Sequence, residues 1–526
     1  MAVANAMMMG GVGWQMASFE CRADPSSGSA KLDQSELKRT ARVRARGRGG
    51  FAFTHWEGGP LILRFPPNFE RQLSIKARRN CSNIGVAQVV AASATDIPLA
   101  SAPASVDPIG VTCSDNNNTN TCVQADGAMP QADLLNSAGT IAVHSGERSG
   151  RAIVTDAIAT PIVQTSTYTF KDTAELIAFQ EGRHKSFEYG RYGNPTTQVA
   201  EEKISALEGA ETTLLLASGM CATTTMMLAL VPAGGHIITT TDCYRRTRQF
   251  IQTVLPKMGI TATVIDPADI DSLKLALEKN NVSLFFSESP TNPYLRCIDI
   301  ELVSKLCHRK GALVCIDCTF ATPVNQKALT FGADIVLHSV TKYIGGHNDV
   351  LAGSLSGSNK NIGVIRALHN VMGGVLSPNA AYLILRGIKT LHLRVQQQNL
   401  TALRIAHTLE AHSKVTHVHY PGLESHPEHH IAKRQMSGFG GVVSFEIAGD
   451  LQATSRFIDS LKIPYIAPSL GGCESLVEQP TIISYWDQSP AERARIGIKD
   501  NLVRFSCGVE DFEDIQSDIL QALDAI

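Results

Sequence analysis

Residues 335–342 read IVLHSVTK, a short apolar run that passes directly into hydroxyl residues and a lysine. Residues 313–317 read LVCID, an apolar run of the same kind that ends in a carboxylate. Similar runs precede these two along the chain, and helix-like segments lie between them. Short buried runs that alternate with helices are typical of a mainly parallel sheet that is covered on both faces. The sequence therefore predicts an α/β fold.

Polar residues follow each of the predicted strands. Ligands of mainly parallel sheets bind just beyond the carboxyl ends of the strands, so we expect these polar residues to converge on one crevice. Besides Asp317 and Lys342, the set consists of Ser218-Gly219-Met220, Thr241-Asp242-Cys243-Tyr244 and Ser287-Glu288-Ser289.

Each of these residues has two interpretations when it is taken alone. The Ser218-Gly219 turn before a predicted helix can bind a phosphate through free backbone N–H groups, or it can be an ordinary turn and helix cap. Tyr244 can stack on a planar ring or simply pack against its neighbours. Asp317 can be a functional charge or a helix cap, and Lys342 can be a nucleophilic amine or a surface lysine.

The combination of residues favours a site for pyridoxal phosphate (PLP). A phosphate cradle, a stacking aromatic ring, a carboxylate and a lysine are the parts that hold this cofactor. The lysine forms the Schiff base, and the carboxylate keeps the pyridine nitrogen protonated so that the ring accepts electrons. Ser339 and Thr341 lie just before Lys342 and can donate hydroxyl hydrogen bonds to the phosphate.

Residues 146–526 resemble the Cys/Met-metabolism family of PLP-dependent enzymes over their whole length. The matching stretches are 189–196 (YGRYGNPT), 218–220 (SGM), 288–293 (ESPTNP), 317–323 (DCTFATP), 339–343 (SVTKY), 386–387 (RG), 469–475 (SLGGCES) and 504–506 (RFS). The resemblance implies the PLP-dependent transferase fold of type I, which is like that of aspartate aminotransferase. This fold has a mainly parallel seven-stranded sheet domain and a smaller C-terminal α/β domain.

The resemblance also implies a role for each matching residue. Lys342 is expected to be the Schiff-base lysine and proton shuttle, and Tyr244 is expected to stack on the ring and is a second candidate base. The expected cofactor contacts are Tyr189, Arg191, Gly219, Met220, Tyr244, Asn292, Asp317, Thr319, Ser339, Thr341 and Lys342. The expected substrate contacts are Ser469, Glu474 and Arg504, with Arg504 binding the α-carboxylate in a bidentate manner.

Tyr189 and Arg191 are expected to reach the phosphate of the cofactor in a neighbouring subunit. The resemblance therefore implies active sites that are shared within a homodimer, and a homotetramer as the assembly. No metal site is expected, because His426, His429 and His430 form one short cluster that is read as solvated surface.

Arg245 and Arg246 depart from the family pattern, in which two glycines follow the stacking tyrosine. The family's arginine five positions after that tyrosine is also replaced, here by Gln249. Our hypothesis is that Arg245 and Arg246 favour a dianionic leaving group, which fits O-phosphohomoserine. The alternative is a rearranged loop that points Arg245 into solvent.

The chain resembles plant members of the family, which carry an N-terminal extension. These members are transferases that join O-phosphohomoserine and L-cysteine into L-cystathionine and phosphate, a γ-replacement in methionine biosynthesis. The alternatives within the family are lyases that act on cystathionine or methionine, and O-acylhomoserine sulfhydrylases. A non-catalytic regulatory relative is a further alternative, but the complete set of Lys342, Asp317, Tyr244 and Arg504 argues against it.

The charge of the chain is distributed unevenly along its 526 residues. The net charge of −2 combines +7 over residues 1–79, −6 over residues 80–147 and −3 over the remainder. Residues 38–48 are basic and contain no acid, which is typical of an organelle transit peptide, although a basic arm that binds nucleic acid has the same look. We predict a chloroplast (plastid stroma) location, with a plastid transit peptide over residues 1–68.

Four further segments are predicted after the transit peptide. Residues 69–144 are expected to be a disordered spacer, because their polar composition cannot bury enough apolar surface. An N-terminal arm (145–192), a PLP-binding domain (193–400) and a C-terminal domain (401–526) follow. The near-neutral net charge argues against a nucleic-acid partner, and the absence of a long apolar run argues against a membrane span.

Cys315 and Cys318 form the C-x-x-C motif of the sequence. The motif can be a redox dithiol, or it can place small apolar residues at the end of a buried strand. We favour the buried strand end, because apolar residues precede the motif and no Gly-Pro turn lies within it.

Overall fold

Residues 137–146 and 157–526 are described by a computed structural model. The predicted transit peptide (1–68) and residues 69–136 of the predicted spacer lie outside the described residues. Among the described helices, none combines the length and the apolar character that crossing a membrane requires.

The larger of two sheets has seven strands in the order β1-β7-β6-β5-β4-β2-β3. Its strands are β1 (Thr212–Leu216), β2 (His236–Thr240), β3 (Thr261–Ile265), β4 (Val282–Glu288), β5 (Leu313–Asp317), β6 (Ile335–His338) and β7 (Gly353–Gly357). Strand β7 pairs antiparallel with both of its neighbours. The other pairs are parallel, which confirms the predicted mainly parallel seven-stranded sheet.

Helices cover both faces of this sheet. Successive residues of a strand point to opposite faces, so each strand contributes side chains to two cores. Val314 and Ile316 enter one core and Cys315 and Leu337 enter the other. The helices of this part are α1 (Ala138–His144), α2 (Thr173–Gln180), α3 (Pro195–Glu208), α4 (Gly219–Leu230), α5 (Arg245–Thr253), α6 (Ile270–Lys279), α7 (Ile300–His308), α8 (Thr322–Asn325), α9 (Asn359–Met372) and α10 (Pro378–Ile388). Two 3₁₀ helices span Leu255–Met258 and Ala328–Phe331.

A second sheet with five strands lies in the C-terminal part of the chain, in the order β10-β11-β12-β9-β8. Its strands are β8 (Val415–His419), β9 (Val442–Ile447), β10 (Tyr465–Ile466), β11 (Leu476–Glu478) and β12 (Leu502–Ser506). The helices of this part are α12 (His429–Gln435), α13 (Leu451–Ser460), α14 (Pro480–Ile483), α15 (Pro490–Arg495) and α16 (Phe512–Asp524).

Helix α11 (Leu391–Glu410) connects the two parts of the chain. Its first half contributes Leu391 and Val395 to a core beside the larger sheet. Its second half contributes Ala402 and Ile405 to the core of the five-stranded sheet. The predicted boundary at residue 400 therefore falls within a helix, near the point where the helix passes from one core to the other.

Helix α1 occupies the last residues of the segment that the sequence assigns to the spacer. Its N-cap is Ser137, whose hydroxyl accepts a hydrogen bond from the N–H of Thr140. Ala142 is fully buried, and the Lys203 ammonium donates to the carbonyls of Ala142 and Val143 at 3.3 and 3.0 Å. The prediction of disorder is wrong for this end, because the partners that order α1 are distant in sequence.

Cys315 and Cys318 are both fully buried, and neither forms a disulfide. Burial raises the pKa of both thiols well above the ordinary value. The motif is therefore part of the core, as predicted.

The prediction of a solvated histidine cluster is wrong for His426. His426 is buried, with its Nδ1 atom 3.7 Å from a carboxylate oxygen of Glu428, and burial lowers its pKa to about 4. His429 is half-buried and its Nδ1 atom contacts the carbonyl of Pro421 at 2.9 Å, while His430 is exposed. Within the described ranges, no cluster of His, Cys, Asp or Glu is arranged to hold a metal ion.

Candidate active site

Lys342 lies in the loop that follows β6, at the carboxyl edge of the larger sheet. Its ammonium donates a hydrogen bond to the hydroxyl of Ser469, a residue of the C-terminal part, at 2.8 Å. Burial and then the charge of Arg504 lower the pKa of Lys342 to about 8, although the Asp317 carboxylate acts in the opposite direction. The amine therefore gives up its proton near physiological pH, as a nucleophile or base requires.

Asp317 is the last residue of β5, and Thr319 holds its carboxylate. The backbone N–H and the hydroxyl of Thr319 both donate to Oδ1 of Asp317, at 2.9 and 2.5 Å. The same Thr319 hydroxyl accepts a hydrogen bond from the N–H of Ser339 at 2.8 Å. Burial raises the pKa of Asp317, and the hydrogen bonds from Thr319 oppose that rise. Thr319 thus joins the carboxylate to the loop that carries Lys342.

Glu288 is a second buried carboxyl group at the same edge, to which the sequence analysis gave no role. It ends β4 and lies opposite Asp317 in the parallel pairing of β4 with β5. Burial and the nearby Asp317 carboxylate raise the pKa of Glu288 well above its ordinary value. The backbone N–H of Tyr244 donates to Oε1 of Glu288, which fixes the start of α5 at the crevice. The available signal was that both acids lie at the end of an apolar run, Asp317 directly after it and Glu288 just beyond Ser287.

Arg504 lies in β12 of the five-stranded sheet and is buried. Its guanidinium pairs with the carboxylate of Glu478, which faces it across the antiparallel pairing with β11. It also donates to the side-chain oxygen of Asn292. Its Nε atom is buried without a hydrogen-bond partner among the described residues. Burial lowers the pKa of Arg504 to about 10, so the side chain stays charged at neutral pH.

The phosphate cradle is predicted at the start of α4. Ser218 caps the helix by accepting a hydrogen bond from the N–H of Cys221 at 3.0 Å. A Cβ atom at Gly219 would lie 3.0 Å from the side chain of Ser339, and one at Gly353 would lie 2.4 Å from the carbonyl oxygen of Ser218. Gly219 therefore lets Ser339 approach the helix N-terminus, where backbone N–H groups attract an anion, and Gly353 lets the start of β7 approach Ser218.

Thr341 and Met220 lie beside this cradle with contacts of their own. The Thr341 hydroxyl donates to the carbonyl of Ala352 at 3.2 Å and accepts from the N–H of the same residue at 3.0 Å. The Met220 sulfur accepts a hydrogen bond from the hydroxyl of Thr247 at 3.7 Å. Tyr244, the predicted ring-stacking residue, is 46% exposed.

A cavity of about 560 Å³ opens beside the Lys342 loop. Ser469 and Glu474 both line it, together with Thr341 and Asn348. Ser469 has a backbone φ of 79°, an uncommon conformation for a residue with a side chain. The structure therefore gathers the predicted substrate residues Ser469 and Glu474 at one opening.

Arg191 lies beside the rings of Tyr189 and Tyr192 and contacts the end of α9. The Arg191 guanidinium lies 5.4 Å from the ring centroid of Tyr189 and 4.8 Å from that of Tyr192. It donates a hydrogen bond to the carbonyl of Asn370, at the end of α9. Tyr189 is 42% exposed. The pair thus presents an aromatic ring and a cation at the surface.

Arg245 and Arg246 begin α5 and differ in their surroundings. The Arg245 guanidinium donates to the carbonyl of Ser484 at 2.6 Å and pairs with the carboxylate of Asp487. Arg246 is exposed, and its guanidinium donates to the side chain of Gln249 at 2.9 Å. The alternative in which Arg245 points into solvent is therefore wrong, because residues of the C-terminal part hold it.

A family model described as Cys/Met metabolism PLP-dependent enzyme matches residues 139–524. The chain belongs to this family. The match includes the crevice and both sheets, and it confirms the predicted fold class and PLP as the cofactor.

Individual relatives match nearly the whole chain. Cystathionine gamma-synthase 1, chloroplastic, of Nicotiana tabacum is 64% identical over 97% of this chain and 98% of its own. The protein of the same name from Arabidopsis thaliana is 60% identical over 97% of each chain. Because both relatives are named chloroplastic and extend over the N-terminal region, the predicted chloroplast location is confirmed. The transit-peptide end at residue 68 stays a prediction.

A solved structure has the same fold as the family region. The structure of cystathionine gamma synthase from Xanthomonas oryzae pv. oryzae in complex with aminoacrylate and cysteine is 34% identical, with a TM-score of 0.70. It covers 74% of this chain, and this chain covers 98% of it.

The crevice residues fit the family's cofactor. Gly219 at the start of α4 leaves space and N–H groups for a phosphate, and Asp317 supplies a half-buried carboxylate for a pyridine nitrogen. Lys342 supplies a half-buried amine that is readily deprotonated. These three features lie at the same edge of the sheet, so a single molecule of PLP can contact all of them.

Proposed function

We propose that this chain is a cystathionine γ-synthase that joins O-phosphohomoserine and L-cysteine into L-cystathionine and phosphate. The near full-length identity to chloroplastic enzymes of that name carries the proposal. The crevice supports it, because a half-buried amine and a buried guanidinium face one site, as amino-acid chemistry with PLP requires.

Arg504 binds the α-carboxylate of the substrate in this proposal. Its guanidinium stays charged, and Glu478 and Asn292 set its position. Its buried Nε–H has no acceptor among the described residues, so it can donate to a bound carboxylate. A planar guanidinium can hold a carboxylate with two parallel hydrogen bonds, which fixes the orientation of the amino acid.

Lys342 moves protons at Cα and Cβ of the substrate. When bound, PLP supplies an electron sink that acidifies the C–H bonds of the amino acid. With a pKa of about 8, Lys342 is present partly as the free amine at pH 7 to 8, so it can both accept and return a proton. The hydroxyl of Ser469 lies 2.8 Å from Nζ and orients the amine. Tyr244, at the mouth of the crevice, is the second candidate base.

The cofactor contacts proposed here are those of the sequence analysis. Asp317, held by Thr319, faces the pyridine nitrogen, and Gly219, Met220, Ser339 and Thr341 surround the phosphate. Asn292 contacts the ring hydroxyl, a role that places it between the cofactor and Arg504. The contact between Asn292 and Arg504 supports this role.

A product assay on the purified protein tests the proposed function. Supplied with L-cysteine and O-phosphohomoserine, the protein is expected to form cystathionine and an equal amount of phosphate. Supplied with cystathionine alone, it is expected to leave the substrate intact. Cleavage of cystathionine without any synthesis would show that the protein is a lyase of the same family.

Arg245 and Arg246 are proposed to favour the dianionic phosphate leaving group. Arg245 is fixed by Ser484 and Asp487, so it contributes a cation of set position, whereas Arg246 is exposed and donates to Gln249. Replacing both by glycine is expected to reduce turnover of O-phosphohomoserine more than that of O-succinylhomoserine. An equal loss on both substrates would contradict the proposal.

Tyr189 and Arg191 are proposed to serve the cofactor of a partner subunit within a homotetramer. The exposed ring of Tyr189, with the half-buried Arg191 beside it, supports this because the pair is accessible to a second chain. Mixing an inactive Arg191→Ala chain with an inactive Lys342→Ala chain tests the idea. Reassociated dimers are expected to recover roughly a quarter of the wild-type activity, since one site per mixed dimer is then intact. Mixtures without recovered activity would show that each site is built from one chain.

A further inference from the structure

Two segments run past each other at the cavity, the Lys342 loop and residues 469–475 of the C-terminal part. They are joined at one end by the hydrogen bond between Lys342 and Ser469. They are joined at the other end by the side chain of Asn348, whose Nδ2 atom donates to Oε2 of Glu474 at 2.7 Å. Both Asn348 and Glu474 line the cavity. The first contact serves the proposed base, and the second has no assigned role.

The backbone at Asn348 selects the residue type. Its φ is 55°, in the left-handed region that asparagine adopts more readily than other residues with a side chain. In this conformation the side-chain amide lies against Gly472. A Cβ atom at Gly472 would lie 2.4 Å from Nδ2 and 2.7 Å from Oδ1 of Asn348. The exposed amide therefore lies between the bare backbone of Gly472 and the carboxylate of Glu474.

Neighbouring contacts hold the segment that carries Glu474. The Cys473 thiol donates to the carbonyl of Gly346 at 3.1 Å, and Gln398 donates to the carbonyl of Gly472 at 2.8 Å. The N–H of Ser475 donates to a carboxylate oxygen of Glu510 at 2.6 Å. The backbone on both sides of Glu474 is thus fixed, and Asn348 supplies the contact that orients its carboxylate.

The Asn348 amide occupies one oxygen of Glu474 and leaves Oε1 without a hydrogen-bond partner among the described residues. A negatively charged oxygen at the opening of a cavity attracts an ammonium group. The incoming nucleophile, an amino acid that carries a thiol, has such a group.

We propose that Asn348 is a positioning residue that orients the Glu474 carboxylate to receive the ammonium of the amino-acid nucleophile. The proposal rests on the proposed function, because it names the step at which the second substrate enters. When no nucleophile adds, O-phosphohomoserine and one water give phosphate, ammonia and 2-oxobutyrate. Loss of the oriented carboxylate therefore diverts substrate from replacement to elimination.

Two variants of the holoenzyme remove the orientation in different ways. Asn348→Gly keeps the left-handed backbone accessible and deletes the amide. Gly472→Ala leaves Asn348 in place and pushes its amide aside with a new Cβ atom. Each is expected to raise the KM for cysteine roughly fivefold to tenfold, the size of one partly exposed hydrogen bond to a charged group. The KM for O-phosphohomoserine is expected to stay within about twofold, and the ratio of 2-oxobutyrate to cystathionine to rise.

The double variant separates positioning from general damage. If both changes act by moving the same amide, Asn348→Gly with Gly472→Ala has the effect of one change alone. Asp349→Asn is the matched reference, since Asp349 is the neighbouring carboxylate that lines the same cavity. An unchanged cysteine KM in both single variants, or a rise in Asp349→Asn alone, would overturn the proposal. So would multiplied effects in the double variant.

The same two variants test the role of Asn348 even if the wild-type protein proves to be a lyase. A wild-type protein that cleaves cystathionine and forms none would refute the synthase assignment. Cystathionine carries an equivalent second ammonium, so the two variants are then expected to raise the KM for cystathionine. Unchanged KM values in that case would overturn the role of Asn348 independently of the reaction.

Discussion

Half-buried Lys342 and buried Arg504 are two cations at one crevice, and they differ in what surrounds them. Lys342, beyond the end of β6, donates to the neutral hydroxyl of Ser469, and its pKa falls to about 8. Arg504, in β12, pairs with the buried carboxylate of Glu478, and its pKa falls to about 10. Burial is the largest cause of both shifts. The same crevice therefore holds Lys342, which loses its proton near neutral pH, and Arg504, which keeps its proton.

The two surroundings correspond to two tasks. A base must exist in part without its proton, so a neutral hydrogen-bond partner and a nearby positive charge suit Lys342. A group that binds a carboxylate must keep its charge, so Arg504 has a partner acid and a high intrinsic pKa. In the proposed function, the part with the larger sheet therefore supplies the proton-transfer group, and the C-terminal part supplies the group that binds the substrate carboxylate.

Removal of the Lys342 amine is expected to have the largest effect on turnover. Lys342→Ala is expected to reduce turnover by about 10⁴-fold, because the proton-transfer group is lost. The visible absorbance of the bound cofactor is expected to change as well. Lys305→Ala, on the exposed face of α7, is the matched control and is expected to keep full activity. Substantial turnover by Lys342→Ala would show that another group moves the protons.

A smaller effect, on substrate binding, is expected from replacing the planar guanidinium of Arg504 by an ammonium of the same charge. Arg504→Lys is expected to raise the KM for O-phosphohomoserine roughly 10- to 100-fold, since an ammonium cannot make two parallel hydrogen bonds to a carboxylate. Arg404→Lys, at an exposed pair with Glu513, is the matched control. A KM that stays near the wild-type value would mean that charge alone, without the planar geometry, binds the substrate.

The sequence predicted the part of the site that local order determines. Asp317 directly follows one apolar run and Lys342 comes shortly after another, so their place at the carboxyl edge of the sheet could be inferred from the strands alone. Glu478 was missed because its role comes from facing Arg504 in the pairing of β11 with β12, which no spacing along the chain reveals. Asn348 was missed for a similar reason, since its partner Glu474 lies in the other domain.

For the fold as well, features set by neighbouring residues could be predicted, and features set by contacts distant in sequence could not. The alternation of apolar runs and helices predicted the larger sheet and the layers that cover it. The antiparallel placement of β7 between β1 and β6 could not be derived, because strand order depends on contacts distant in sequence. Helix α1 was assigned to the spacer because its seven residues are ordered by α3 and α11 rather than by their own composition.

Titration of the Lys342 amine measures directly whether the crevice lowers its pKa. In the protein freed of PLP, the rate at which a neutral acylating reagent labels Lys342 can be followed by mass spectrometry as the pH is raised. Only the deprotonated amine reacts, so a pKa lowered from 10.5 to about 8 predicts labelling with a midpoint near pH 8. Lys305 in the same spectra serves as the surface reference. A midpoint above pH 10 for Lys342 would contradict the account.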